Sequence, residues 1–302
     1  MVTVTMDGQV VSWTNVYDGS SPTTSSAAAA YSAPPTDSAP QSSDSPPPSD
    51  NAPAGSWERN GYYNADAAEQ DGIVFLNHNG GTGSGVFDYS FGASLSYASC
   101  DGTTGSDSPQ TLECTTLPSS AEVVIMTDRQ CQDDSCGYYR PGTVAYEGFD
   151  GAEKAFFFEF DMPDSGETTE DIYDPVNMPA IWMLNAQIPR TLQYGNEDCS
   201  CWVSGCGEFD MFEVLAPGDA RAKSTLHGNK SGGDSNYFSR PDGAAIKVGM
   251  ILVNDEIHIK VLDDGVNFDD VMDSGVIDDI LSSTSADAPG VSLFNLAGAA
   301  SG

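Results

Sequence analysis

From Trp57 onward the chain is a series of short apolar runs broken by turn residues, a pattern that suits strands and not long helices. The runs cover residues 72–76, 121–126, Lys154–Phe160, Ala180–Leu184, 209–215, 248–253 and Glu256–Leu262. Each has the length of an ordinary strand. Asn79-Gly80-Gly81 and Asp263-Asp264-Gly265 supply turn chemistry between them, and 31 glycines allow many tight connections. Helical periodicity is scarce, with 276–282 the best short candidate. Many short strands in one unit predict an all-β sandwich or jelly roll.

Upstream the composition changes twice. Residues 1–18 read as a short strand-like segment, with Val2-Thr3-Val4-Thr5 and Gln9-Val10-Val11-Ser12-Trp13. Residues 19–56 are rich in Ser, Pro, Ala and Thr and carry Pro46-Pro47-Pro48. Such a stretch buries too little apolar surface to offset its chain entropy, and a disordered linker is expected. Residues 57–302 then form the β domain. No run of 18 or more apolar residues is present, so no membrane-spanning helix is expected. The first residues lack the basic and apolar regions of an export signal.

Acidic residues outnumber basic ones 45 to 11, for a formal net charge of −34. Nucleic acid would be repelled at every approach, and anionic membranes are disfavoured for the same reason. A neutral polysaccharide meets no such barrier. Seven cysteines cluster locally, at 100, 114, 131, 136, 199, 201 and 206. The clustering predicts disulfides and an oxidising compartment, hence secretion. Cys131 with Cys136 and Cys100 with Cys114 could each close a short loop. Cys199-x-Cys201-x4-Cys206 has the wrong spacing for zinc and no nearby His to complete a tetrahedron.

The segment from Trp202 to Leu215 carries the chemistry. In a plain strand Glu208 and Asp210 share a face, while Glu213 points the other way with Phe209 and Met211. A lone carboxylate on that apolar side is costly. One extra residue, a β-bulge at Met211 or Phe212, would bring Glu213 round to join the other two. Glu208 and Glu213 would then stand about 13 Å apart at Cα. Side chains leaning together could close their carboxyls to roughly 5–6 Å, the separation of a retaining glycosidase. Asp210 between them would raise the proton affinity of a neighbouring acid. The strict Glu-x-Asp-x-x-Glu form is expected by chance only about 0.06 times in a chain of this composition. Trp182 and Trp202, upstream, could each stack on a sugar ring or pack in the core.

Glu208-Phe209-Asp210-Met211-Phe212-Glu213 resembles the signature of glycoside hydrolase family 16. Pro179-Ala180-Ile181-Trp182-Met183-Leu184 resembles the Pro-Ala-Phe-Trp strand of that family. The stretches Asn185 to Arg190, Cys199-Ser200-Cys201-Trp202, Thr225-Leu226-His227-Gly228 and Gly232-Gly233-Asp234-Ser235 are similar to one group, the target-of-SBF-like fungal cell-wall proteins, endo-β-1,3-glucanases with a family-16-like domain. The resemblance covers Trp57 to the C-terminus. It implies a concanavalin-like β-jelly roll with a concave glycan-binding sheet, acting on β-glucan in the cell wall. It implies Glu208 as nucleophile, Asp210 as assisting residue and Glu213 as acid/base, with Trp182, Trp202, His227 and Asn185 contacting substrate. No cofactor or metal is implied, and a monomer is expected. The stretch after Glu213 is short for a complete domain of this kind, which implies shuffled or missing final strands.

Three activities fit these residues: hydrolysis of β-1,3-glucan, transfer to an acceptor sugar, or glucan binding without catalysis. Asn229-Lys230-Ser231 is a glycosylation sequon. Asp128, Asp133 and Asp134 read as a solvated charge run and not a calcium loop. Gly80 to Gly85 lacks the spacing of a dinucleotide loop.

Overall fold

The computed structural model describes residues 57–81, 83–88, 92–132, 136, 139–171, 174–184, 207–227, 234–283 and 290–296, and the backbone of a hairpin at 2–6 and 9–13. The linker at 19–56, Cys199, Cys201, Cys206, Trp202, Asn185, the sequon at Asn229 and Asp133-Asp134 lie outside the described residues. In the hairpin, Val2–Met6 pairs antiparallel with Gln9–Trp13.

The domain is an all-β jelly-roll sandwich whose main strands form three antiparallel four-stranded sheets. The first contains β1 (Ile73–Asn77), β2 (Ser96–Ala98), β3 (Gly105–Ser106) and β4 (Val124–Thr127), in the order β3-β2-β1-β4. The chain continues through β5 (Lys154–Phe160), β6 (Ala180–Leu184), β7 (Glu208–Glu213), β8 (Arg221–His227), β9 (Asp234–Ser239), β10 (Ile246–Val253) and β11 (Glu256–Leu262). A single described helix, α1 (Ser274–Ser282), precedes β12 (Val291–Asn295). The second sheet has the order β5-β10-β11-β12 and the third β6-β7-β8-β9.

The second and third sheets face each other across the largest core. Phe209, Met211, Phe212, Val214, Ala222 and Phe238 from the third meet Val248, Met250, Ile257, Ile259 and Phe294 from the second. Strand alternation explains the choice of residues. On β5, Phe156, Phe158 and Phe160 point to this core, while Ala155 and Phe157 point the other way. That outer face is covered by α1, whose Ile277 and Ile280 pack with Ile251, Leu262 and Met272. The second sheet is therefore apolar on both sides, as continuous apolar runs such as Lys154–Phe160 and Ile246–Val253 require.

Four local features fix this frame. At Gly249 a Cβ would fall 2.5 Å from Ile280 Cδ1, so the missing side chain lets α1 sit close on the sheet. Asp273 caps α1 by accepting from the Gly275 N–H at 2.7 Å. The β10–β11 turn is Asn254-Asp255, both with positive φ, as a two-residue type I′ hairpin demands. The buried Arg240 donates from Nε to the Met162 carbonyl and from Nη2 to the Pro163 carbonyl and Asn177 Oδ1. It pins the end of β9 to the connection that leads into β6.

Cys131 and Cys136 are disulfide-bonded, but Cys100 and Cys114 are free, correcting the expectation that they pair. The Glu113 N–H donates to the Cys100 carbonyl, which sets these extended segments side by side. The Cys100 thiol accordingly bonds Glu113, and Cys114, one residue further on, turns to Asp66.

Candidate active site

The third sheet differs from the second in having one apolar face and one charged face. Its central strand, β7, shows the expected bulge. On the β6 side Phe212 pairs with Ile181 and Asp210 with Trp182, which leaves Met211 without an opposite residue. On the β8 side Asp210 pairs with Thr225 and Glu213 with Lys223, so Met211 and Phe212 together face Ser224. The Ser224 hydroxyl donates to the Met211 carbonyl at 2.6 Å, holding a backbone oxygen inside the irregularity.

The consequence is a change of parity. Phe209, Met211 and Phe212 all enter the core, two of them consecutive in sequence. Glu208, Asp210 and Glu213 therefore share the opposite face. Cross-strand partners project to the same side, so the register assembles three rows there. Leu184, Glu208 and His227 form one, Trp182, Asp210 and Thr225 the next, and Ala180, Glu213, Lys223 and Tyr237 the third. Trp182 thus lies on the carboxylate face, not in the core.

Glu208 and Asp210 are buried, at 3% and 5% exposure, and Glu213 is half-buried. Buried carboxylates need partners, and Asp210 has one: His227 Nε2 lies 2.9 Å from its Oδ2. That hydrogen bond raises the His227 pKa above its ordinary value, against the opposing effect of burial. The charges of Asp210, Glu208 and Glu213 push it the same way. Burial also holds the Glu213 carboxyl above the usual carboxylate range, helped by the charge of Asp210 and opposed by His227.

This arrangement supplies a carboxyl biased toward its protonated form beside two further carboxyl groups. Glu208, Asp210 and His227 also offer ligand atoms within 4.8 Å of one another, so they are the described residues best able to hold a metal ion. A cation held by His227 Nε2 would compete with the His227–Asp210 bond, because a ring nitrogen that donates a proton cannot also ligate.

Of the residues singled out by sequence, Glu208, Asp210, Glu213, Trp182 and His227 come together on one face, while Trp202 and Asn185 lie outside the described residues. The sequence marks Thr225 to His227 and Asp234-Ser235 through the family resemblance alone, while no apolar period announces β8 or β9 and nothing points to Lys223 or Tyr237. In Arg221-Ala222-Lys223-Ser224-Thr225-Leu226-His227 only Ala222 and Leu226 supply an apolar alternation, and Ser224 breaks it.

A family model described as "Cell wall protein YJL171C/Tos1, C-terminal" matches residues 55–280. A Candida albicans protein named "Probable circularly permuted 1,3-beta-glucanase TOS1" is 47% identical over 233 residues, 74% of this chain and 49% of that protein. An Arthroderma benhamiae protein named "Probable circularly permuted 1,3-beta-glucanase" is 41% identical over 280 residues, 87% of this chain and 63% of its own. The TOS1 protein of Saccharomyces cerevisiae, with the same printed description as the Candida one, is 41% identical over 237 residues, covering 78% and 51%. The chain spans about half the length of the curated relatives it matches. No solved structure matches it.

Proposed function

The chain belongs to the YJL171C/Tos1 family of cell-wall proteins, and from that premise we propose that it is a retaining endo-β-1,3-glucanase of the wall. The observation that carries the reading is the bulge at Met211-Phe212, which turns Glu213 to the face of Glu208 and Asp210. The names of its relatives support β-1,3-glucan as substrate and a permuted strand order. Residues 57–302 form the catalytic domain in this reading, tethered through 19–56, and the protein is secreted to the wall.

In the first step the Glu208 carboxylate attacks the anomeric carbon and forms a glycosyl ester. The glycosidic C–O bond breaks as Glu213 gives its proton to the leaving oxygen. In the second, the Glu213 carboxylate takes a proton from water, whose oxygen attacks the same carbon and releases Glu208. The raised pKa of Glu213 suits the first role, because a general acid must enter the cycle protonated. Asp210 sustains that pKa by its charge and is itself oriented by His227. Trp182 shares the row of Asp210 and offers a ring to a bound sugar.

The test is the release of reducing ends from laminarin. The wild type releases them, and Glu208→Gln, nearly isosteric but unable to form the ester, loses the activity by several orders of magnitude. A folded wild type that releases nothing from any β-1,3-glucan contradicts the assignment. The same oligosaccharide digest, analysed for products longer than the substrate, separates hydrolysis from transfer to an acceptor sugar.

A further inference from the structure

Tyr237 is the most exposed large hydrophobic side chain among the described residues, at 48%, and the register puts it on the carboxylate face. Glu213 pairs with Lys223, and Lys223 pairs with Tyr237, so the three stand in one row across β7, β8 and β9. Two inter-strand steps separate Tyr237 from Glu213, about 10 Å across the sheet. The ring is not loose. The Arg221 guanidinium lies over it at 4.6 Å from the centroid, and Lys223 Nζ at 5.6 Å. Arg221 is in turn held by Asp219, which accepts from its Nε at 3.2 Å and its Nη2 at 3.1 Å.

An exposed aromatic ring held by Arg221, in line with the carboxylates and near Lys223, offers a binding surface. An amphipathic ring of this kind suits a ligand with an apolar face and a hydroxylated edge. Lysine and arginine can only donate, which matches hydroxyl oxygens as acceptors. The Asp219 carboxylate neutralises Arg221, and three carboxylates share the face, so an anionic ligand is disfavoured. We propose that Tyr237, braced by Arg221, is the platform of an outlying subsite for a neutral pyranose, two strands from Glu213 at the β9 edge. The inference rests on the β-glucan reading of the site and adds a length requirement: only a glucan chain that reaches β9 gains the contact.

Binding in a Glu208→Gln background tests this without depending on turnover. Laminaribiose and laminarihexaose are titrated by calorimetry into Glu208→Gln, and into the same protein carrying Tyr237→Ala or Tyr237→Phe. Tyr237→Ala is expected to weaken hexaose binding roughly threefold to tenfold, with biose binding unchanged. Tyr237→Phe keeps the ring and the affinity. Equal hexaose affinity in Tyr237→Ala and its parent overturns the platform. So does an equal loss for biose and hexaose, which marks a merely structural role. An unchanged thermal midpoint excludes a folding defect, as expected for a half-exposed side chain. Reducing-end release by the wild type decides the catalytic reading separately, so the two ideas can fail independently.

Discussion

The second and third sheets share one core yet use their outer faces in opposite ways. In the second, strict alternation sends Phe156, Phe158, Val248 and Met250 inward, and the outer residues Phe157 and Ile251 are sealed under α1. In the third, the inner residues are just as apolar, but the outer face carries Glu208, Asp210, Glu213, Lys223 and His227. A face that packs needs only regular alternation. A face that gathers three carboxylates from one short strand needs the alternation broken once, and the bulge breaks it where Phe212 and Met211 both enter the core.

Breaking that contrast has its largest effect at Glu213, the residue that follows the bulge. Glu213→Gln keeps the bulge but removes the carboxyl that the bulge turns to the outer face. Laminarin cleavage is expected to fall by several orders of magnitude. Deleting Met211, the extra residue, leaves plain alternation with Glu208, Asp210 and Glu213 still on one face, and is expected to retain more activity than Glu213→Gln. A Glu213→Gln protein with wild-type activity breaks the account of the strand.

Next come paired core truncations. Phe212→Ala, at a side chain with no exposure, is expected to cost about 3–5 kcal/mol in denaturant unfolding. Phe294→Ala, across the same core on β12 and 1% exposed, is expected to cost as much. The pair sharpens the comparison through activity. At a temperature where both variants stay folded, only Phe212→Ala also lowers kcat, because it loosens the bulge.

Gly249→Ala probes the sealed face alone. Its new methyl meets Ile280 Cδ1, the end of a side chain that can shift, and Phe157 Cε1 at 3.2 Å. The expected cost is about 1–3 kcal/mol, with kcat/KM unchanged.

The smallest effect is a shift of a pH limb. His227 opposes the raised pKa of Glu213, so His227→Gln lets Glu213 hold its proton to higher pH. The alkaline limb of kcat/KM is expected to move upward. Stability responds in a defined window. The raised His227 pKa means that its bond with Asp210 contributes fully below pH 6.5 and fades as pH rises through the raised value. The variant is accordingly less stable than wild type at mildly acidic pH, and the gap closes in alkaline buffer.

Much of this contrast is legible in the sequence. The nearly continuous apolar runs of β5 and β10 suit a sheet covered on both faces, and the short helix near 276–282 is visible as well. The cost of burying Glu213 is enough to predict the bulge before any coordinates. The charged face is harder to read. Strands β8 and β9 carry polar residues on one side and small ones such as Ala222 and Ser224 on the other, so neither apolar period stands out. Tyr237 belongs to the site only through its register with Lys223 and Glu213, and pairing across strands leaves no local trace. The free Cys100 and Cys114 teach the same lesson, since proximity in sequence does not fix which side of an extended segment a thiol takes.

The central claim is that Glu208 and Glu213 face one bound sugar from the same side of the sheet, close enough for a double displacement. The most direct measurement is the anomeric configuration of the first sugar released from a β-1,3-glucan oligosaccharide, followed by proton NMR before mutarotation. The account predicts a β-configured product. An initial α product means that water attacked directly across a wider gap, and it contradicts the role assigned to Glu208.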